Sequence, residues 1–278
     1  MRLRCPTSLG ECLTLLAETD GAIPVAGGTD LMVHWPQRLD AHLGTYVDLS
    51  SVTELRTLSW SPECLVIGAG TTYWDVIQDP QIGAAFPLLV AAARQIGAIQ
   101  IQARGTWAGN IANASPAADG VPVLMAYGAS IVLASSGGRV EIPLDEFYLD
   151  YKKMRRRPDQ LITEIRIPRR RYDVERFEKI GGRRAQAITK VGLALTREHD
   201  AWRVVAGSVA PTVTRCPALE RALAGGVPSA PEDLLAAIRQ DVSPIDDVRS
   251  TARYRETVMA RVLYHLVIEA LSEDPSAQ

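Results

Sequence analysis

The sequence predicts an α+β fold: an N-terminal body that mixes short strands with helices, followed by a smaller antiparallel sheet packed with helices. Three observations carry this. Up to about residue 170, short apolar runs alternate with stretches of helical spacing and are punctuated by glycines. Beyond residue 171, two long strand-like runs, 188–198 and 201–210, face each other across a turn near His199 and Asp200. The C-terminal stretch is helical and ends in a helix over about 250–271. There Tyr254, Val258, Val262, Leu266 and Ala270 recur every four residues, and Met259 and Leu263 widen the face.

Ser8 and Glu11 form a capping-box pattern ahead of Leu9, Cys12, Leu13 and Leu16, which predicts a helix over 8–19 that Gly21 stops. A short strand at 22–26 runs into Gly27-Gly28, after which 30–35 starts a helical turn. A strand at 45–49, a hairpin over 54–69 and helices near 73–78 and 84–96 follow. Residues 130–135 and 139–143 flank Gly137-Gly138 as a hairpin, and 161–168 and 175–180 read as further strands. In the tail, Ala218 to Leu223 and Glu232 to Arg239 are helical. Neither an internal repeat nor a low-complexity linker interrupts the chain.

With 278 residues and 47% hydrophobic content the chain can bury a core of one large domain or two ordinary ones. A net charge of −2 gives no electrostatic reason to expect nucleic acid or a membrane surface. Glu11 and Glu18 interrupt the N-terminus, so no secretory signal is expected there, and no segment approaches the roughly 18 apolar residues of a membrane span. Cys5, Cys12, Cys64 and Cys216 share no CxxC spacing, and the four histidines do not cluster with them. A reducing, cytoplasmic compartment is expected, with no metal or iron–sulfur cluster held by this chain.

Two stretches of small residues carry the chemistry. Gly27-Gly28, between a strand and a helical turn, fits a tight turn and fits equally a nest of backbone N–H groups for an anion such as a diphosphate. The run TWAGNIANASPAAD, residues 106–119, keeps Thr106, Asn110, Asn113 and Ser115 among alanines and glycines and has no charge before Asp119. Small residues let a flat or charged ligand approach the backbone, and the amides and hydroxyls direct hydrogen bonds at it. This predicts ligand binding. VIGAG at 66–70 imitates a GxGxxG fingerprint but places Tyr73 at its last position, so a hairpin turn is expected there. No GxxxxGK[ST] phosphate loop occurs.

AGGTDL (26–31) together with TWAGNIANASPAAD resembles the FAD-binding medium subunit of the molybdenum hydroxylases, the family of xanthine dehydrogenase, aerobic carbon monoxide dehydrogenase and 4-hydroxybenzoyl-CoA reductase. LITEIRIP (161–168) and FEKIGGRRAQAITKVGLA (177–194) follow in the family's order, so the likeness spans nearly the whole chain. It implies a two-lobed FAD-binding domain of the vanillyl-alcohol-oxidase/PCMH type over 1–170, its lobes meeting near 50–55, and a C-terminal domain over 171–278. By resemblance, Val25, Ala26, Gly27, Gly28, Thr29, Asp30 and Leu31 wrap the diphosphate of FAD. Thr106, Trp107, Ala108, Gly109 and Asn110 hold its other side, with Asn113 and Asp119 further along. Ile162, Lys179 and Ile188 align with positions near the flavin ring. One departure stands out: Ala108 occupies a place the family usually gives to glycine, which matters if that position needs a positive φ.

The family role implied is electron relay. A molybdopterin large subunit oxidises the substrate, a [2Fe-2S] small subunit passes electrons on, and FAD delivers them to an external acceptor, the three subunits forming a heterotrimer or its dimer. Two other readings stay open: a self-sufficient flavin oxidoreductase with the same type of FAD domain, and an assembly subunit without FAD. Residues 152–184 hold 13 Lys or Arg against 5 Asp or Glu. A solvated surface is expected for the arginines at 155–157, while 176–184 is open between that and docking to an acidic partner or anionic acceptor.

Overall fold

The computed structural model describes residues 2–34 and 44–273. The chain opens with β1 (Arg2–Arg4), α1 (Leu9–Glu18), β2 (Ile23–Val25), α2 (Leu31–His34) and β3 (Thr45–Asp48). Ser8 caps α1 by accepting from Glu11 N at 3.2 Å, and Glu11 reaches back to Thr7 N at 2.8 Å, one residue earlier than the expected capping box. The three strands form a parallel sheet in the order β1-β3-β2, which leaves β2 on an edge with the glycine turn at its end. The expected turn over 30–35 is α2; Trp35 lies outside the described residues.

β4 (Leu58–Trp60) and β5 (Cys64–Gly68) form the next hairpin. It starts later than expected because Thr53–Leu55 is a single 3-10 turn. Then come α3 (Tyr73–Gln78), α4 (Pro80–Ala85) and α5 (Pro87–Gln95). The helix expected over 84–96 is broken at Phe86, φ −140°, because the residue before proline avoids the α region. α6 (Ile99–Gln102), α7 (Trp107–Asn113) and α8 (Gly120–Ala126) occupy what the sequence presented as loop. All seven residues of α8 are buried, so no amphipathic period marks it.

β6 (Ser130–Ser135), β7 (Gly138–Pro143), the β8 (Tyr148–Asp150) and β9 (Lys153–Met154) hairpin, and β10 (Leu161–Pro168) complete the first body. Its antiparallel sheet runs β4-β5-β10-β6-β7. β11 (Val174–Gly181), β12 (Thr189–Glu198), β13 (Ala201–Gly207) and β14 (Thr214–Arg215) form a second antiparallel sheet in chain order, covered by α9 (Pro217–Ala224), α10 (Leu235–Asp241) and α11 (Ala252–Ser272).

Two hydrophobic clusters result, one around Leu65, Trp107, Leu124 and Ile165, the other around Leu193, Val204, Leu219 and Leu263. The buried stripe of α11 is Arg255, Met259, Ala260, Leu263, Val267 and Ala270; it includes the expected Met259, Leu263 and Ala270, whereas Val258, Val262 and Leu266 are partly buried at its edge and Tyr254 is 41% exposed. Arg255 can head that stripe because its guanidinium donates to Lys190 O (2.9 Å), Ser208 O (2.5 Å) and Asp247 Oδ1 (2.8 Å). Among the described residues no helix is long and apolar enough to cross a membrane.

Candidate functional site

The glycine turn after β2 lies directly against the chain entering α7. A Cβ built on Gly27 would fall 1.8 Å from Arg104 O, so only glycine allows the two backbones to touch. Gly28 has φ +68°, with nothing nearer to its Cβ position than Val25 Cγ1 at 3.7 Å; its glycine serves conformation rather than space. Gly105 is wedged in turn, since a Cβ there would meet Tyr73 Cε2 at 2.9 Å and Thr29 Oγ1 at 3.3 Å. These contacts leave a cleft of about 550 Å³ between the two segments, within the range of small-molecule sites.

Helical geometry decides which residues of 106–119 reach this cleft. Thr106 caps α7 by accepting from Gly109 N at 3.0 Å. One face of α7, with Trp107, Ala108 and Ile111, turns into the core, while Gly109, Asn110 and Asn113 turn toward the cleft. Trp107 and Ala108 are therefore not among the residues that line the cleft: Trp107 packs edge-on against Tyr73 at 5.2 Å, and Ala108 is 5% exposed. Ala108 is not among the residues with positive φ, so its methyl group strains nothing.

Of the expected residues, Val25 through Leu31, Thr106, Gly109, Asn110 and Asn113 line the cleft. Tyr73, Ile96, Ile101 and Gly105 also line it and carry no sequence signal beyond the glycine. Asn110 lines the cleft, and its Oδ1 is buried without a hydrogen-bond partner. An unmade buried hydrogen bond costs about 1–3 kcal/mol. Asn110→Leu should thus stabilise the apoprotein by about 1 kcal/mol while weakening FAD binding about tenfold or more. Thermal melts and FAD titration check both, and unchanged affinity would refute a role for the amide.

A second cluster stands beside the cleft. Lys179 on β11 donates to Asp119 Oδ2 at 2.6 Å and to Gln95 O at 3.0 Å, and Thr189 Oγ1 donates to Asp119 Oδ1. Asp119 makes no side-chain cap to α8. Burial pushes its carboxyl above the usual carboxylate range and the Lys179 ammonium pulls it back. Gln95 precedes Ile96 of the cleft wall, and burial together with the Asp119 charge raises the Tyr73 phenol, so cluster and cleft are neighbours. Asp119 and Lys179 do not line the cleft itself. Ile162 is 3% exposed in the core of the first body and does not line the cleft. Ile188 is 58% exposed beside Thr189.

Several cations of the basic run are paired with acids from elsewhere in the chain. Arg155 pairs with Glu146 (3.2 Å), Arg166 with Glu141 (2.8 Å) and Arg170 with Glu198 (2.9 Å), while Arg157 pairs locally with Asp159 (2.9 Å).

A glycine-pinched cleft with directed amides, set between a small parallel sheet and a helix-rich body, defines a protein that binds an extended nucleotide cofactor. Residues 1–170 match the family described as FAD binding domain in molybdopterin dehydrogenase, and residues 176–270 match the CO dehydrogenase flavoprotein C-terminal domain. The chain belongs to the FAD-binding medium subunits of the molybdenum hydroxylases; it is an oxidoreductase component and its cofactor is FAD.

The chain is 31% identical over 276 residues to the caffeine dehydrogenase subunit beta of Pseudomonas sp. (strain CBB1), covering 95% of this chain and 92% of that one. It is 27% identical over 276 residues to a putative xanthine dehydrogenase FAD-binding subunit of Escherichia coli (strain K12), covering 95% and 94%. Among solved structures, carbon monoxide dehydrogenase from Hydrogenophaga pseudoflava superposes with a TM-score of 0.89 at 28% identity, over 98% of this chain and 97% of that one.

Proposed function

We propose that this chain holds FAD in the cleft between the glycine turn and α7, accepts electrons from a [2Fe-2S] small subunit and passes them to an external acceptor. A molybdopterin large subunit would carry out the substrate oxidation, in a heterotrimer or its dimer. The observation that carries the placement is the contact of Gly27 with Arg104 O, which brings two small-residue segments together around one cleft. FAD, when bound, supplies the exchange between paired and single electrons; the protein contributes position, exclusion of water and electrostatics.

The residues divide those tasks. Backbone groups of Gly27, Gly28 and Thr29 face the cleft and suit a diphosphate. Thr106 and Asn110 orient the ligand on the other wall. The buried Asp119, Lys179 and Thr189 cluster joins the first body to the second sheet and sets the field beside the cleft. In this reading residues 1–170 bind the cofactor and 171–278 close over one end of it. Four unpaired cysteines support a cytoplasmic setting.

The relay is tested by absorption. FAD on the isolated chain should stay oxidised when a small organic substrate is added, and should bleach once the chain is reconstituted with a [2Fe-2S] subunit and a molybdenum subunit. If the isolated chain oxidises such a substrate at a useful rate, it is a self-sufficient flavoenzyme instead.

A further inference from the structure

Lys152 occupies a position that its own turn would give to another residue. It is the second residue of the two-residue turn between β8 and β9, where Asp150 pairs with Lys153, and its φ is +58°. Turns with a positive φ at that position favour glycine or asparagine, and a lysine persists there only when its side chain is held by the surroundings. Here it is held. Lys152 Nζ donates to Asn113 O at 2.5 Å and to Asn113 Oδ1 at 2.9 Å.

With its oxygen committed to Lys152, the Asn113 amide points its nitrogen to Asp30, and Nδ2 donates to Asp30 Oδ1 at 2.9 Å. Three segments far apart in sequence are thereby tied in one line: the β8–β9 turn, the C-terminal end of α7 and the glycine turn. The charges matter as well. Among the described residues lining the cleft, Asp30 is the one carboxylate, and no lysine or arginine is present. A dianionic diphosphate beside Asp30 would be repelled; an ammonium tied to Asp30 through one amide offsets that repulsion.

We propose that Lys152 is a positioning residue for the cofactor, the cationic end of an Asp30–Asn113–Lys152 latch that fixes the glycine turn against α7 and governs how fast the cofactor leaves. The proposal rests on FAD occupying this cleft.

Lys152→Gly tests it, because glycine suits the backbone of the turn and separates folding from binding. The melting temperature of the Lys152→Gly apoprotein should equal or exceed that of the wild type, while FAD dissociates about tenfold faster, as the loss of a charged hydrogen bond predicts. Lys152→Arg should retain most of the wild-type affinity. Asp30→Asn removes the group that the latch restrains, so adding Lys152→Gly to it should change the off-rate little. Off-rates are read by the return of flavin fluorescence on dilution, with Asn110→Leu measured alongside. An unchanged off-rate in Lys152→Gly overturns the latch, and so does a faster off-rate accompanied by a fall in apoprotein melting temperature, since Lys152 would then be structural. If Gly27→Ala, measured in the same way, also retains FAD at full affinity, the cofactor lies elsewhere and both readings fail together; unchanged affinity in Asn110→Leu alone removes only that amide.

Discussion

Gly27→Ala is expected to strip the chain of FAD while Gly28→Ala keeps most of it, although the two glycines are adjacent. The methyl group at position 27 would lie 1.8 Å from Arg104 O, 2.5 Å from Arg104 C and 3.0 Å from Gly105 N. All three are backbone atoms, so no side chain can swing aside, and the turn must retreat by more than an ångström to reach any tolerable contact. That movement opens the junction at which the glycine turn and the α7 segment meet, and displacements of this size are costly wherever binding groups must converge. The FAD dissociation constant should rise at least about 100-fold, equivalent to roughly 2.7 kcal/mol.

At Gly28 the surrounding space is open and the cost is conformational, roughly 1–2 kcal/mol for a left-handed alanine. Part of that is a loss of fold stability rather than of affinity. Flavin-to-protein ratios after gel filtration, with melting curves of both apoproteins, decide the matter. Equal flavin loss in the two variants would refute the assignment of the close contact to Gly27.

Much of the architecture was legible because it rests on local signals. The hairpin at His199 and Asp200 appears where alternating runs break at polar residues, and His199 adopts φ +54° there. The α7 segment was legible as a ligand-binding stretch but not as a helix. Its apolar period consists of Trp107 and Ile111 alone, and tertiary packing rather than a long amphipathic face makes it helical. The resemblance groups Trp107 and Ala108 with Gly109 and Asn110, and only the helix shows that the first two side chains turn into the core.

The rest of the wall was hidden for a different reason. Tyr73, Ile96 and Ile101 are ordinary core formers in the sequence, and only the folded chain shows that they line the cleft. Lys152 was hidden within a basic run whose summed charge says nothing about the acids that fold against it. Its contact, Asn113, lies 39 positions away.

The Asp119 and Lys179 pair gives the second large expectation. Lys179 is 5% and Asp119 13% exposed in their side chains, with 2.6 Å between Nζ and Oδ2. Removing one member leaves the other buried without its partner, so Asp119→Leu and Lys179→Met should each cost about 3–5 kcal/mol of stability. Removing both leaves no orphaned charge, and Asp119→Leu combined with Lys179→Met should recover most of that loss, as apolar replacements of buried ion pairs do. Thr189 and Gln95 each lose a partner in the double variant, which keeps the recovery incomplete. Urea unfolding of the four apoproteins measures the cycle, and singles as stable as the wild type would show that water reaches the pair.

The same set separates structure from function. The pair does not line the cleft, yet Lys179 holds the carbonyl of Gln95 immediately before Ile96, and Asp119 sets the field at Tyr73. If the folded double variant binds FAD as tightly as the wild type, the pair is a clasp between the first body and the second sheet. Weakened FAD binding in that stable double variant is the expected result, because the wall at Ile96 and the charge near Tyr73 would both have changed while the fold had not.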